Sequence, residues 1–188
     1  MNPLERDLEE VLLTEAQISA RIAEIGAHIS QDYRDGDLVL IGILRGGLLF
    51  LGDLTRAIHK PHAFDMVAAS SYAGTAASRG YVAITKDVNM NLDGKDVIVI
   101  EDIYDSGRTL SLVRDLIKAH NPRSVELFAL LSKNVPHRDK PCDLRYTGFT
   151  IPDKFVVGYG LDYREHYRNL RMIGVLKPSV YAHEAAAK

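Results

Sequence analysis

Cysteine is nearly absent from this 188-residue chain: Cys142 stands alone, so no intrachain disulfide can form. A single thiol suits a reducing compartment, and the expectation is a cytoplasmic protein. Long apolar runs are missing as well. None approaches the ~18 residues needed to cross a bilayer, so no membrane partner is expected. The opening MNPLERDLEE is polar and acidic, unlike a signal or transit peptide. Positive charge is not in excess. Lys and Arg number 23 against 25 Asp and Glu, a net charge of −2, and no overall basic field is present to recruit nucleic acid. The seven histidines show no metal-ligand spacing. His59 and His62 flank Pro61, which argues against a shared helical face, and both read as loop residues.

What is present reads as one domain with a real core: 46% hydrophobic and 26% charged residues in a length that needs no second unit. Thr14-Glu15-Ala16-Gln17 fits a capping box, and Ile18, Ile22, Ile25 and Ile29 then fall on one helical face, with a stop near Asp35-Gly36. Leu38 to Leu44 reads as a buried strand, broken at Gly46-Gly47, and Leu48 to Ile58 as a helix. Phe64 to Tyr72 and Tyr81 to Thr85 are strand-like. Between them, residues 73–80 are small and polar, the composition of a mobile loop. Asp93-Gly94 makes a turn, Asn121-Pro122 ends a helix, Val125 to Leu131 is a further strand, and 132–143 is loop. A last short apolar run at 155–158 precedes a polar, aromatic tail. The alternation predicts an α/β fold, a mostly parallel sheet flanked by helices.

The most informative segment is VIVIEDIYDSGRTL at 97–110. A continuous β-branched run is the mark of a buried parallel strand, so Glu101 and Asp102 should lie at its carboxyl end, where open α/β sheets bind ligands. Asp105, Ser106, Gly107, Arg108 and Thr109 follow where a helix begins, and free N–H groups there make a phosphate cradle. Two carboxylates would repel a bare phosphate. The pair makes sense if it grips ribose hydroxyls, with a divalent cation near, while the loop holds a phosphate. That is a site for a sugar phosphate.

An apolar strand followed by EDxxDSGxT resembles the phosphoribosyl-diphosphate (PRPP) signature of the type I phosphoribosyltransferases. The LRGG at 44–47 resembles their diphosphate loop, with Arg45 and Gly46 as the binding residues and a cis peptide implied between Leu44 and Arg45. Ser71-Tyr72 resembles a pair on a closing loop near the diphosphate. IPDKFVVGYGLDY at 151–163, continuing to Tyr167-Arg168, is similar to the carboxyl-terminal signature of hypoxanthine-guanine phosphoribosyltransferases. The likeness spans residues 14–176.

The resemblance implies a type I phosphoribosyltransferase fold, one domain over 1–188 with a small hood built from about 1–14 and 144–188. It implies transfer of phosphoribose from PRPP to N9 of hypoxanthine or guanine. Asp105 would take the N7 proton, Glu101 and Asp102 hold the ribose, and Ser106 and Thr109 hold the 5′-phosphate. Lys133 would donate to purine O6 and Phe155 stack on the base, with Val156, Asp162 and Tyr104 beside it. Arg45 and Arg168 would bind diphosphate. Mg²⁺ would sit with Glu101, Asp102 and Asp162. A homodimer or homotetramer is implied too. Two positions depart from the pattern: Tyr104, where an aliphatic residue is usual, and Ser132, where an acid often precedes the lysine. The alternatives are a xanthine-accepting enzyme and a PRPP-sensing regulator of the same fold. Against the regulator, only about a dozen residues precede the first helix, too few for a helix-turn-helix domain.

Overall fold

The computed structural model describes residues 3–72 and 81–181. A 3₁₀ turn, Pro3–Asp7, leads into strand β1, Leu8–Leu13. Helix α1, Glu15–Asp32, starts at the expected capping box. Thr14 Oγ1 accepts the Gln17 N–H at 3.3 Å, and Gln17 Oε1 accepts the Thr14 N–H at 2.9 Å. Its four isoleucines are buried, and the helix closes three residues before Asp35, where the Tyr33 N–H donates to the Ile29 carbonyl.

The main sheet is built from β2 (Leu38–Leu44), β3 (Ala63–Tyr72), β4 (Tyr81–Lys86), β5 (Asp96–Tyr104), β6 (Ser124–Asn134) and β7 (Tyr146–Pro152), in the order β4-β3-β2-β5-β6-β7. All neighbours are parallel except β3 and β4. The chain leaves β2 in one direction to form β3, then returns to place β5 on its other flank. The carboxyl ends of β2 and β5 therefore flank the point where strand order reverses, which is where such sheets bind ligands.

Helix α1 and helix α2, Gly47–Ala57, cover one face, where Phe50 and Phe128 meet edge to face at 4.9 Å. Helix α3, Arg108–Lys118, covers the other through Leu110, Val113 and Ile117. Over the carboxyl ends lies a three-stranded antiparallel sheet, β1-β9-β8, made by β8 (Val156–Val157), β9 (Ile173–Leu176) and the amino-terminal strand. A short helix α4, Pro178–Tyr181, ends the described chain.

Three features differ from the sequence expectation. The second half of the hood begins after Pro152, because Tyr146–Pro152 pairs with β6 and closes the edge of the main sheet. Strand β6 runs to Asn134, so Ser132 and Lys133 are strand residues rather than loop. Strands β1 and β9 occupy segments expected only as an acidic leader and a polar, aromatic tail; they pair Leu8 with Leu176 and Leu13 with Ile173 across nearly the whole length of the chain. The lid expected at 73–80 lies outside the described residues. Ser71 and Tyr72 lie at the carboxyl end of β3, paired with Val82 and Tyr81.

Candidate active site

Strand β5 carries its buried run straight into the two acids: Val97 to Ile100 are fully enclosed, and Glu101 and Asp102 remain buried at 7% and 9% exposure. Burial, then the neighbouring Asp102 charge, hold the Glu101 carboxyl well above the usual carboxylate range. Burial raises Asp102 as well, against the hydrogen bond from Glu101 and the Ile103 N–H. Glu101 Oε2 is enclosed with no hydrogen-bond partner. A buried acid with one unpartnered oxygen is costly unless a hydroxyl donor or a cation completes it.

The chain then turns through Asp105-Ser106-Gly107 into α3. Gly107 caps the helix at φ +80°, and a Cβ there would stand 1.9 Å from the Lys140 carbonyl oxygen, so no larger residue fits. The loop and the acids line a cavity of about 230 Å³. Thr109 and the two acids continue its wall into a larger cleft of about 570 Å³ that reaches Arg45, Gly46, Asp162, Glu165 and Arg168. Arg108 is placed otherwise than expected: its guanidinium pairs with Asp139 at 2.6 Å, and its side chain lines neither part of the cleft.

From β2, the Leu44–Arg45 peptide is cis, as the resemblance implied. The next residue packs against the acids so tightly that a Cβ on Gly46 would lie 1.5 Å from Asp102 Oδ2. Across the cleft, Arg168 pairs with Asp162 at 2.8 Å and Glu165 at 3.2 Å, and Glu165 also takes Arg45 at 2.8 Å. The Arg168 Nε–H is buried without an acceptor. Two arginines thus converge on one carboxylate, the arrangement that a bound anion would use.

The third element of the site comes from the carboxyl ends of β6 and β7. Lys133 Nζ lies 3.2 Å from Asp105 Oδ2 and 3.0 Å from Asp153 Oδ1. Burial works to lower the lysine pKa, but the hydrogen bonds and charges of Asp153 and Asp105 together outweigh it and hold it above the ordinary value. Two residues beyond Asp153, Phe155 is 41% exposed, with its ring near Tyr163 (5.8 Å) and Tyr181 (5.2 Å). Val156 lies on β8, one of the two edge strands of the hood. Lysine donor, carboxylate, exposed ring and anion cleft share one end of one sheet.

Residues 10–164 match the model of the phosphoribosyl transferase domain. The hypoxanthine-guanine phosphoribosyltransferase of Mycobacterium tuberculosis is 47% identical over 182 residues, covering 93% of this chain and 89% of that one. That of Staphylococcus aureus is 45% identical over 180 residues, covering 95% and 99%. The chain belongs to the hypoxanthine-guanine phosphoribosyltransferase family. A crystal structure of the Staphylococcus aureus hypoxanthine phosphoribosyltransferase superposes with a TM-score of 0.90 at 44% identity, covering 96% of this chain and 98% of that one. A mutant hypoxanthine phosphoribosyltransferase from Trypanosoma cruzi, in a ternary substrates complex, superposes at 0.86 with 36% identity, covering 94% and 99%.

Within the family frame, the two departures seen in the sequence are joined by a residue that sequence reasoning missed. Tyr104 does not face the hood. The pleat of β5 sends Ile103 to the α1–α2 side and Tyr104 to the α3 side. There its hydroxyl donates to the Cys142 carbonyl (3.1 Å) and accepts the Cys142 N–H (2.7 Å). The Arg138 guanidinium stacks on the Tyr104 ring at 4.2 Å and donates to Ser132 Oγ at 3.2 Å and to the Lys133 carbonyl. Tyr104 therefore braces the ends of β5 and β6 through Arg138 and Cys142, and it also lines the cavity beside the 105–109 loop. Asp153 and Glu165 also escape sequence reasoning. Each stands inside or beside a quoted motif, but only the fold shows which cation it meets.

Proposed function

We propose that this chain transfers the 5-phosphoribosyl group of PRPP to N9 of hypoxanthine or guanine, giving the nucleoside monophosphate and diphosphate for purine salvage. The observation that carries this reading is the contact of Lys133 with Asp105 at 3.2 Å, beside the loop 105–109. It sets a donor for a 6-oxo group and a proton acceptor for N7 next to a phosphate cradle.

In this reading the C1–diphosphate bond opens ahead of attack, and positive charge develops on the ribose ring. Glu101 and Asp102 hold the ribose hydroxyls. Arg45 and Arg168 exchange Glu165 for the leaving diphosphate. Ser106, Gly107 and Thr109 hold the 5′-phosphate, Lys133 fixes O6, Phe155 covers the base, and Asp105 accepts the N7 proton as N9 attacks.

The described residues contain no cluster of three His, Cys, Asp or Glu groups able to hold a metal by themselves. A pair of buried acids with an unpartnered oxygen nevertheless fits Mg²⁺, which takes one or two carboxylates and completes its shell with water and substrate oxygens. When bound it supplies charge neutralisation to the departing diphosphate. Glu101 and Asp102 would hold it, and Asp162, tied to Arg168, is the further carboxylate that lines the same cleft. A homodimer or homotetramer and a cytoplasmic location belong to the same proposal. Among the described residues no helix is long and apolar enough to cross a membrane.

The test is turnover of hypoxanthine, guanine, xanthine and adenine with PRPP, with and without Mg²⁺. Nucleotide formed from hypoxanthine and guanine only with the cation is expected. Absence of transfer to any 6-oxopurine would overturn the reading.

A further inference from the structure

We propose that Asp153 is the positioning residue of base recognition, holding the Lys133 ammonium between two carboxylates so that one of its donors stays free for the purine. The inference rests on the function proposed above and goes beyond it by naming what aims the lysine.

Three adjacent parallel strands end side by side. Asp105 follows the last residue of β5, Lys133 is the penultimate residue of β6, and Asp153 follows the last residue of β7. Register sets their heights: Tyr104 opposes Ser132, which brings Asp105 beside Lys133, and Lys133 opposes Ile151, which leaves Asp153 two residues further along its strand. The lysine carbonyl is fixed from below by Arg138, so the side chain rises from an anchored point.

An ammonium has three N–H donors. Asp105 takes one and Asp153 a second, at 3.2 and 3.0 Å, on opposite flanks of the same strand. The third is left for an acceptor brought by the substrate. Without Asp153, the cation has one carboxylate to satisfy it and settles on Asp105. That contact would occupy the oxygens needed for the N7 proton and turn the free donor away from O6. Asp153 balances the pull.

The carboxylates of Asp153 and Asp105 are 60% and 55% exposed while the lysine side chain is only 13% exposed. Water screens these exposed carboxylates, so the pairs matter little to folding. A docked base would remove that water and strengthen them. Asp153 also stands two residues before Phe155, on the same short connection from β7 to the hood. One segment thereby sets both the stacking ring and the direction of the O6 donor.

The experiment is steady-state kinetics of wild type, Asp153→Asn, Asp153→Glu, Lys133→Met and the double variant Lys133→Met/Asp153→Asn. Asparagine keeps the size and one acceptor but drops the charge. The expected result is a rise of about tenfold in KM for hypoxanthine and guanine in Asp153→Asn, with KM for PRPP changed less than about twofold. Asp153→Glu should recover most of the loss. In the Lys133→Met background, Asp153→Asn should add less than about twofold, because the group it acts through is gone. An unchanged base KM in Asp153→Asn, or the same factor with and without Lys133, would overturn the assignment. Wild-type protein that forms no nucleotide at all would instead remove the underlying function.

Discussion

Asp105→Asn is the most informative single substitution. The residue lies one position beyond β5, half exposed, with its Oδ2 3.2 Å from Lys133. Asparagine preserves volume and can still accept from the ammonium through its amide oxygen. Lys133 also keeps Asp153, so the local structure has no reason to collapse. What disappears is basicity. Loss of a positioned general base costs about 10²–10⁴ in rate, or roughly 2.7–5.5 kcal/mol of barrier. The proposed phosphate cradle is Ser106, Gly107 and Thr109, which the substitution leaves in place, so PRPP affinity should change by less than about threefold, the range of a lost peripheral contact. Because product release can hide a slowed chemical step, the measurement is single-turnover nucleotide formation with enzyme in excess, together with PRPP binding by calorimetry. A single-turnover rate within about tenfold of wild type would refute the base assignment. So would a loss explained by weaker PRPP binding alone.

Lys133→Met should depress turnover of hypoxanthine and guanine together, while wild type discriminates against adenine by as much as about 10⁴–10⁵, since the 6-amino group would face an ammonium donor; adenine turned over by wild type at a rate near hypoxanthine would contradict the lysine's role. Glu101→Gln is expected to raise the melting temperature of the unliganded protein at neutral pH while abolishing transfer. The sign follows from a folded-state pKa raised by burial: the native state binds more protons than the unfolded chain, so stability falls as pH rises toward that pKa, and the glutamine variant should lose this slope in melts taken from about pH 5 to 8. Gly107→Ala should weaken PRPP binding and lower stability by more than about 1 kcal/mol, given the positive φ and a carbonyl oxygen 1.9 Å from the new methyl; calorimetry and thermal melts on the same sample check both.

Much of the site is legible in the sequence because the segments that form it are local and chemically unambiguous. Val97 to Asp105 reads as buried strand, acids and turn, since each of those states has its own composition. The capping box at Thr14 and the isoleucine stripe of α1 are visible for the same reason. What is not legible depends on long-range pairing. Strand β1, LEEVLL, is buried only at its two ends, so it shows no alternation by itself; β9, IGVL, is buried throughout but only four residues long, and the two meet across some 160 residues. Strand β7 carries an irregular burial pattern at a sheet edge. The family pattern places Tyr104 beside the base because it aligns motifs without regard to the side chain's face. The alternation of a strand puts neighbours on opposite faces, and that rule, applied along β5, sends Ile103 to the α1–α2 side and Tyr104 to the α3 side. Asp153, Arg138 and Glu165 carry ordinary surface signals, and only the convergence of distant segments at the sheet's carboxyl end shows what each one holds.

A crystal structure with PRPP, Mg²⁺ and an unreactive hypoxanthine analogue decides whether one end of the sheet holds a 6-oxopurine and a ribose phosphate together. The expected complex has the base against Phe155 with O6 on Lys133 Nζ, the 5′-phosphate on the 105–109 loop, and the diphosphate on Arg45 and Arg168 with Glu165 displaced. A base seated away from Lys133, or a 5′-phosphate bound outside that loop, would contradict it.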